Sequence, residues 1–159
     1  MDVRTSEDAA FPELLLLDTQ VWIWAANGAS DRVAGHIPEL VSHAALNGRV
    51  RVSAVSVWEA ANAIVRGRVV VRAPVVVRAP VERWIELAVT AFGGHVWSLD
   101  RHVALESVRL PALERRDPGD RFIIATARLR GARLVTTDRE ILNYGPAGHL
   151  AVLDARPSR

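Results

Sequence analysis

The sequence predicts an α/β fold with a mostly parallel central sheet of about five strands and helices on both faces. Three observations point there. Short apolar runs alternate along the chain with amphipathic stretches. The first run, Leu14 to Leu17, is continuously apolar, as a central strand covered on both sides must be. Gly or Asn-Gly breaks separate most of the elements, which suits right-handed strand–helix–strand crossovers.

The elements follow in order. Leu14–Leu17 is the first strand, and Thr19–Ala26 a helix stopped by Asn27-Gly28. Asp31–Leu46 is read as one helix ended by Asn47-Gly48. Arg49–Ala54 alternates apolar and polar residues as a strand does, and Ser56–Arg66 is a helix closed by Gly67. Glu82–Phe92 is an amphipathic helix with Trp84 inward. His95–Leu99 is a short strand, and Asp100–Arg109 and Asp117–Arg130 are helices. Arg133–Thr137 is a strand, Asp138–Leu142 a helical turn and Leu150–Leu153 the last strand. Between the second and third of these strands the hexapeptide VVVRAP occurs twice in tandem, within Val69–Pro80. Two copies are too few for a stacked array, so the repeat reads as an enlarged loop.

The 159 residues fit one domain, with residues 1–12 as a flexible extension, 13–155 as the folded unit and 156–159 as a tail. Half of the residues are hydrophobic, enough for a core without disulfide or metal staples. There is no cysteine, which excludes zinc–thiolate sites and a cysteine nucleophile and fits a reducing cytoplasm. LLLLDTQVWIWAA is broken by Asp18 and Gln20 and falls short of the roughly 20 apolar residues of a membrane span. All 20 basic residues are arginine. Codon usage explains that as readily as phosphate recognition does, and a net charge of +2 permits nucleic-acid binding without demanding it.

Four carboxylates carry the chemistry. Asp18 ends the first strand, Glu59 lies in the first turn of the helix after the second strand, Asp120 opens a helix, and Asp138 follows the strand LVTT. In open α/β sheets, sites form beyond the carboxyl ends of the strands, where strand order reverses. Each acid also has a capping explanation. Ser56-Val-Trp-Glu59 reads as a capping box, Asp117-Pro118-Gly119-Asp120 as an N-cap with its first turn, and Asp138 as a cap for the turn after it. Capping does not explain why all four arrive at one edge. Acids gathered without a lysine or cysteine call for a hard divalent cation, Mg²⁺ or Mn²⁺. Such an ion in a basic protein suits phosphodiester hydrolysis.

These stretches resemble PIN-domain ribonucleases, in particular VapC toxins of type II toxin–antitoxin pairs. LLLLDTQVWIW is similar to the first acidic motif of that family, VSAVSVWEAANAIVRGRV to the second, and DPGDRFIIATARLRGARLVTTDREIL to the third and fourth. The similarity spans Leu14 to Asp154. It implies a PIN-like three-layer α/β/α sandwich, a Mg²⁺-dependent endoribonuclease, a homodimer and a cognate antitoxin that blocks the site. It also implies Asp18, Glu59, Asp120 and Asp138 as the catalytic quartet, with Asp18, Asp120 and Asp138 on the metal. Asp117 is read as a helix cap or a group behind the metal ligands, and Thr19 and Thr137 as residues that orient carboxylates or waters. Arg115, Arg116 and Arg121 are candidates for substrate phosphate contacts. The second VVVRAP is a six-residue insertion relative to the family pattern, since Pro74 without it, like Pro80 with it, stands four residues before Trp84.

The five tryptophans could stack on bases, but their apolar settings favour packing. Trp22 and Trp24 cannot share one helix face, so one of them is expected at the surface or an interface. The five histidines show no metal-ligand spacing. Two rival functions remain open at this point: another metal-dependent nuclease or phosphatase on the same scaffold, and a catalytically silent RNA-binding module.

Overall fold

The computed structural model describes residues 13–69, 81–114 and 117–158. The expected N-terminal extension, nearly all of the VVVRAP repeat, and Arg115 and Arg116 lie outside them. Five strands form one sheet: β1 (Leu15–Leu17), β2 (Val50–Ser53), β3 (Val96–Trp97), β4 (Arg133–Thr136) and β5 (Val152–Asp154). Their order is β3-β2-β1-β4-β5, and every pairing is parallel. β1 is therefore central, which is why Leu15, Leu16 and Leu17 are all buried.

Among the described residues there are seven α-helices: α1 (Thr19–Ala26), α2 (Ile37–Leu46), α3 (Ala54–Val65), α4 (Val81–Thr90), α5 (Arg101–Val108), α6 (Pro118–Arg130) and α7 (Arg139–Tyr144). Successive strand residues face opposite sides, so β1 and β4 feed two cores. Leu15, Leu17 and Val135 pack with α1, α2 and α4. Leu16 and Leu134 pack with α5, α6 and α7. α3 touches both cores, with Ala60 in the first and Val55 in the second. The result is a three-layer α/β/α sandwich. No helix among the described residues is long and apolar enough to cross a membrane.

Trp22 and Trp84 lock the first core. Their rings lie 5.6 Å apart, and each indole N–H finds an oxygen, Ala88 O at 3.1 Å and Asn27 Oδ1 at 3.2 Å. Trp24 is half-buried against the same core. Trp97, on edge strand β3, lies under the guanidinium groups of Arg51 and Arg130.

Two sequence expectations need correction. Asp31–Leu46 is not one helix: a 3₁₀ turn at Ser30–Arg32 is followed by an extended Val33, and α2 starts only at Ile37, with Pro38 in its first turn. The backbone N–H of Ala34 donates to Ala155 O at 2.9 Å, a long-range bond that draws this stretch out of the helix. Nor is Ser56–Glu59 a capping box. α3 begins at Ala54 with Ser53 as its cap, whose Oγ accepts from Val55 N–H at 3.1 Å. Ser56 is buried inside the helix, and Glu59 stands in the second turn.

Candidate active site

The sheet reverses order at β1. The chain steps from β1 to β2 and β3 on one side, and to β4 and β5 on the other. The carboxyl ends of β1 and β4 flank that switch point, where a crevice is a topological necessity. Asp18 directly follows β1, and its backbone N–H continues the ladder to Val135 O at 3.0 Å. Asp138 follows β4. α6 runs into β4 through Gly131 and Ala132, so its start must lie near the carboxyl edge. That places Asp120, on the first turn of α6, at the same edge as Asp18 and Asp138.

A cleft of about 500 Å³ opens there. Asp18, Glu59, Asp120 and Asp138 all line it, together with Asp117, Thr19 and Thr137. Three of the acids also cap helices. Asp18 Oδ1 accepts from Thr19 N–H at 2.8 Å, Asp117 Oδ1 from Gly119 N–H at 2.8 Å, and Asp138 Oδ1 from Glu140 N–H at 2.8 Å. Capping and a place in the cleft are thus compatible. A carboxylate has two oxygens, and a cap uses one of them.

Asp18 is buried, and its second oxygen, Oδ2, accepts from the Thr136 hydroxyl at 2.7 Å. Thr136 Oγ1 in turn accepts from the Asp138 backbone N–H at 3.0 Å. One buried hydroxyl therefore ties Asp18 to the backbone of Asp138. Sequence reasoning placed this role one residue on, at Thr137, which lines the cleft instead. Thr136 is the buried last residue of β4, whereas Thr137 stands beyond the strand, at the cleft.

Next to Asp18, Thr19 donates from Oγ1 to Glu59 Oε2 and lies 2.9 Å from Ser56 Oγ. A hydroxyl carries one proton, so while Thr19 donates to Glu59 it must accept from Ser56. Burial raises the pKa of Glu59; the Thr19 bond opposes that, and the charges of Asp120, Asp18 and Asp117 add to it. The electrostatics agree with the cleft lining that these acids share one field.

Gly119, in the first turn of α6, lies against Glu59. A Cβ there would collide with Glu59 Oε1 and press within 3.2 Å of Asp117 Oδ1. Its lack of a side chain lets the start of α6 approach the Glu59 carboxylate. The sequence showed only a glycine in a helix cap.

Arg121 is not a wall of this cleft. Its guanidinium donates to Ser107 O at 2.8 Å and Leu113 O at 3.1 Å, which fastens the end of α5 and the following loop to α6. Among the described residues, the cations that line the cleft are Arg66 and Arg68, both exposed, after the end of α3. Trp58, beside Glu59, is the exception among the tryptophans: it is 66% exposed and lines the cleft.

Among the described residues, no three His, Cys, Asp or Glu side chains are drawn together as a finished metal cage. The donor chemistry nevertheless fits a hard divalent cation. The cleft offers carboxylate and hydroxyl oxygens from four chain segments, and crowding of the acids leaves negative charge to neutralise.

The PIN domain family matches residues 15–145. No curated protein matches the chain in sequence. Among solved structures, it is similar to VapBC2 of Rickettsia felis bound to a DNA fragment from its promoter. That likeness has 13% identity and TM-score 0.62, and covers 89% of this chain and 98% of the other. DNA-bound VapBC of Salmonella typhimurium is similar at 19% identity and TM-score 0.62, covering 89% and 98%. VapBC-5 of Mycobacterium tuberculosis is similar at 18% identity and TM-score 0.51, covering 90% and 99%. At these identities the likeness is one of fold.

Proposed function

The chain belongs to the PIN-domain family, and from that premise we propose that it is a VapC-type toxin, an endoribonuclease that hydrolyses RNA with the help of Mg²⁺ or Mn²⁺. The observation that carries this reading is the meeting of Asp18, Glu59, Asp120 and Asp138 around one cleft at the switch point of the sheet. Asp18, Asp120 and Asp138 would hold the metal. When bound, such an ion acidifies a coordinated water and offsets charge on the phosphate.

The protein's own residues set the geometry. Thr136 holds Asp18 from behind, and Asp18 and Asp138 are fixed by the helices they cap. Glu59, gripped by Thr19, positions the attacking water from α3. The water oxygen bonds to phosphorus and sheds one proton, the bond to the leaving ribose oxygen breaks, and that oxygen takes up one proton from solvent, so that one water is added across the P–O bond. No covalent link to the enzyme is needed. Arg66 and Arg68 replace Arg121 as the groups that meet flanking phosphates.

The likeness to VapBC complexes supports a cognate antitoxin as partner. The family resemblance further implies that the antitoxin covers the cleft, and that the protein is a homodimer acting on RNA in the cytoplasm. Purified protein incubated with RNA and Mg²⁺, beside Asp18→Asn and an EDTA control, tests the activity. Wild-type protein should cut, and both controls should lose at least about 100-fold, on the order of what one catalytic interaction supplies. Equal cleavage by Asp18→Asn would refute the site.

A further inference from the structure

A second cavity of about 620 Å³ adjoins the acid cleft. Its walls are mainly apolar, with Val55, Trp58, Leu99, Pro118 and Phe122 among them. Trp58, Glu59 and Asp117 line both cavities, so the two share a wall. Trp58 leaves 66% of its surface in water although its neighbours on α3, Val55 and Ala60, are buried. Trp22 and Trp84 show that this chain buries a tryptophan where it serves the core.

We propose that this apolar cavity is a base-binding subsite, in which Trp58 stacks on the nucleobase next to the scissile phosphate of single-stranded RNA. The inference rests on the nuclease reading above. The two cavities adjoin, one lined mainly by apolar residues and the other by carboxylates suited to a metal, and a nucleotide unit joins a flat apolar base to a phosphate that can reach both. The cations are also well placed: Arg66 and Arg68 line the cleft and can meet the next phosphates of the strand. An aromatic platform accepts any base, because every base has a π-face. Specificity for a particular base would have to come from polar groups elsewhere.

The test steps one abasic residue through the cleavage site of an oligoribonucleotide, and compares wild type with Trp58→Ala and Trp58→Phe. In the wild type, one abasic position should cost about 5- to 150-fold in kcat/KM, mostly in KM, the range that base stacking supplies. Trp58→Ala should show that loss on every substrate and no further loss at the abasic position. Trp58→Phe should recover most of it. An unchanged abasic profile in Trp58→Ala overturns the proposal. So does a variant that cuts RNA normally but binds the antitoxin poorly, since the occupant is then a protein. Should wild type cut no RNA, the nuclease reading fails, and binding in EDTA decides the subsite separately. At least about 5-fold tighter binding of the intact oligonucleotide by wild type than by Trp58→Ala keeps it, and equal binding removes it.

Discussion

Replacing Thr136 by valine keeps the shape of the side chain and removes one hydroxyl. Thr136 is fully buried, so the loss cannot be made good by bulk water at Asp18. The Oγ1–Oδ2 separation of 2.7 Å is that of a bond to a charged acceptor, worth about 1.5–3 kcal/mol. The Asp138 amide, 3.0 Å from the same oxygen, loses its acceptor at a half-buried position, which costs about 1 kcal/mol more. The methyl gained in exchange returns about 0.8 kcal/mol. Thr136→Val should therefore destabilise the metal-free protein by about 2–3 kcal/mol, measured by urea unfolding in EDTA. Thr136→Ser restores the hydroxyl and should lose about 1 kcal/mol, for the missing methyl alone. Because Thr136 stands behind a proposed metal ligand, Mg²⁺ affinity of the valine variant should also drop, by about 10- to 100-fold. A valine variant within about 0.5 kcal/mol of wild type, below the cost of any one of these lost bonds, would refute the bridge between Asp18 and Asp138.

Gly119→Ala should separate activity from stability. Alanine favours α6 by up to about 1 kcal/mol, yet its Cβ displaces Glu59, so RNA cleavage should drop at least about 10-fold while the melting temperature holds or rises. Asp117→Ala removes an exposed cap and should cost about 0.5–2 kcal/mol of stability, with a smaller loss of cleavage than Asp120→Asn shows. The raised pKa of Glu59 predicts a pH dependence in EDTA. An acid whose folded pKa exceeds its unfolded value contributes stability that is complete below the unfolded value and is lost as pH rises through the folded one. The metal-free protein should accordingly weaken as pH climbs above the ordinary glutamate range, and Glu59→Gln should flatten that slope in melting curves. Asp120→Asn, which removes one of the charges acting on Glu59, should raise the melting temperature in EDTA, and a fall would argue against a crowded acid site.

A feature is legible in this sequence when the forces that set it are local. β1 was legible because a strand covered on both faces has to be apolar throughout, and Leu15–Leu17 are. α6 was legible at both ends, since Asp117-Pro118 starts a helix and Gly131 adopts the left-handed conformation that ends one. The start of α2 is not legible because Val33 and Ala34 fit a helical pattern locally, while the backbone N–H of Ala34 answers to Ala155, far along the chain. The start of α3 was misplaced because Ser53 and Ser56 are equally good caps by composition. Pairing of Val50–Ser53 in the sheet decides between them, since the helix starts where the strand ends.

The candidate site divides along the same line. Carboxylates can be marked from sequence because an acid at the end of an apolar strand is costly wherever the chain folds, and needs a partner. Which neutral groups serve them cannot be read that way. Threonine, serine and glycine are common in loops and caps, and only packing selected Thr136 over Thr137, set Ser56 behind Thr19 and brought Gly119 against Glu59. The same holds for the cations. Arg121 has the right motif position, but its guanidinium reaches the carbonyls of Ser107 and Leu113. The sequence by itself determined the alternation of strands and helices and marked the acids that line the cleft, because burial and charge act residue by residue. The tertiary structure alone decided which hydroxyls, arginines and tryptophan face those acids, because that depends on where each strand ends and on contacts between segments far apart in the chain.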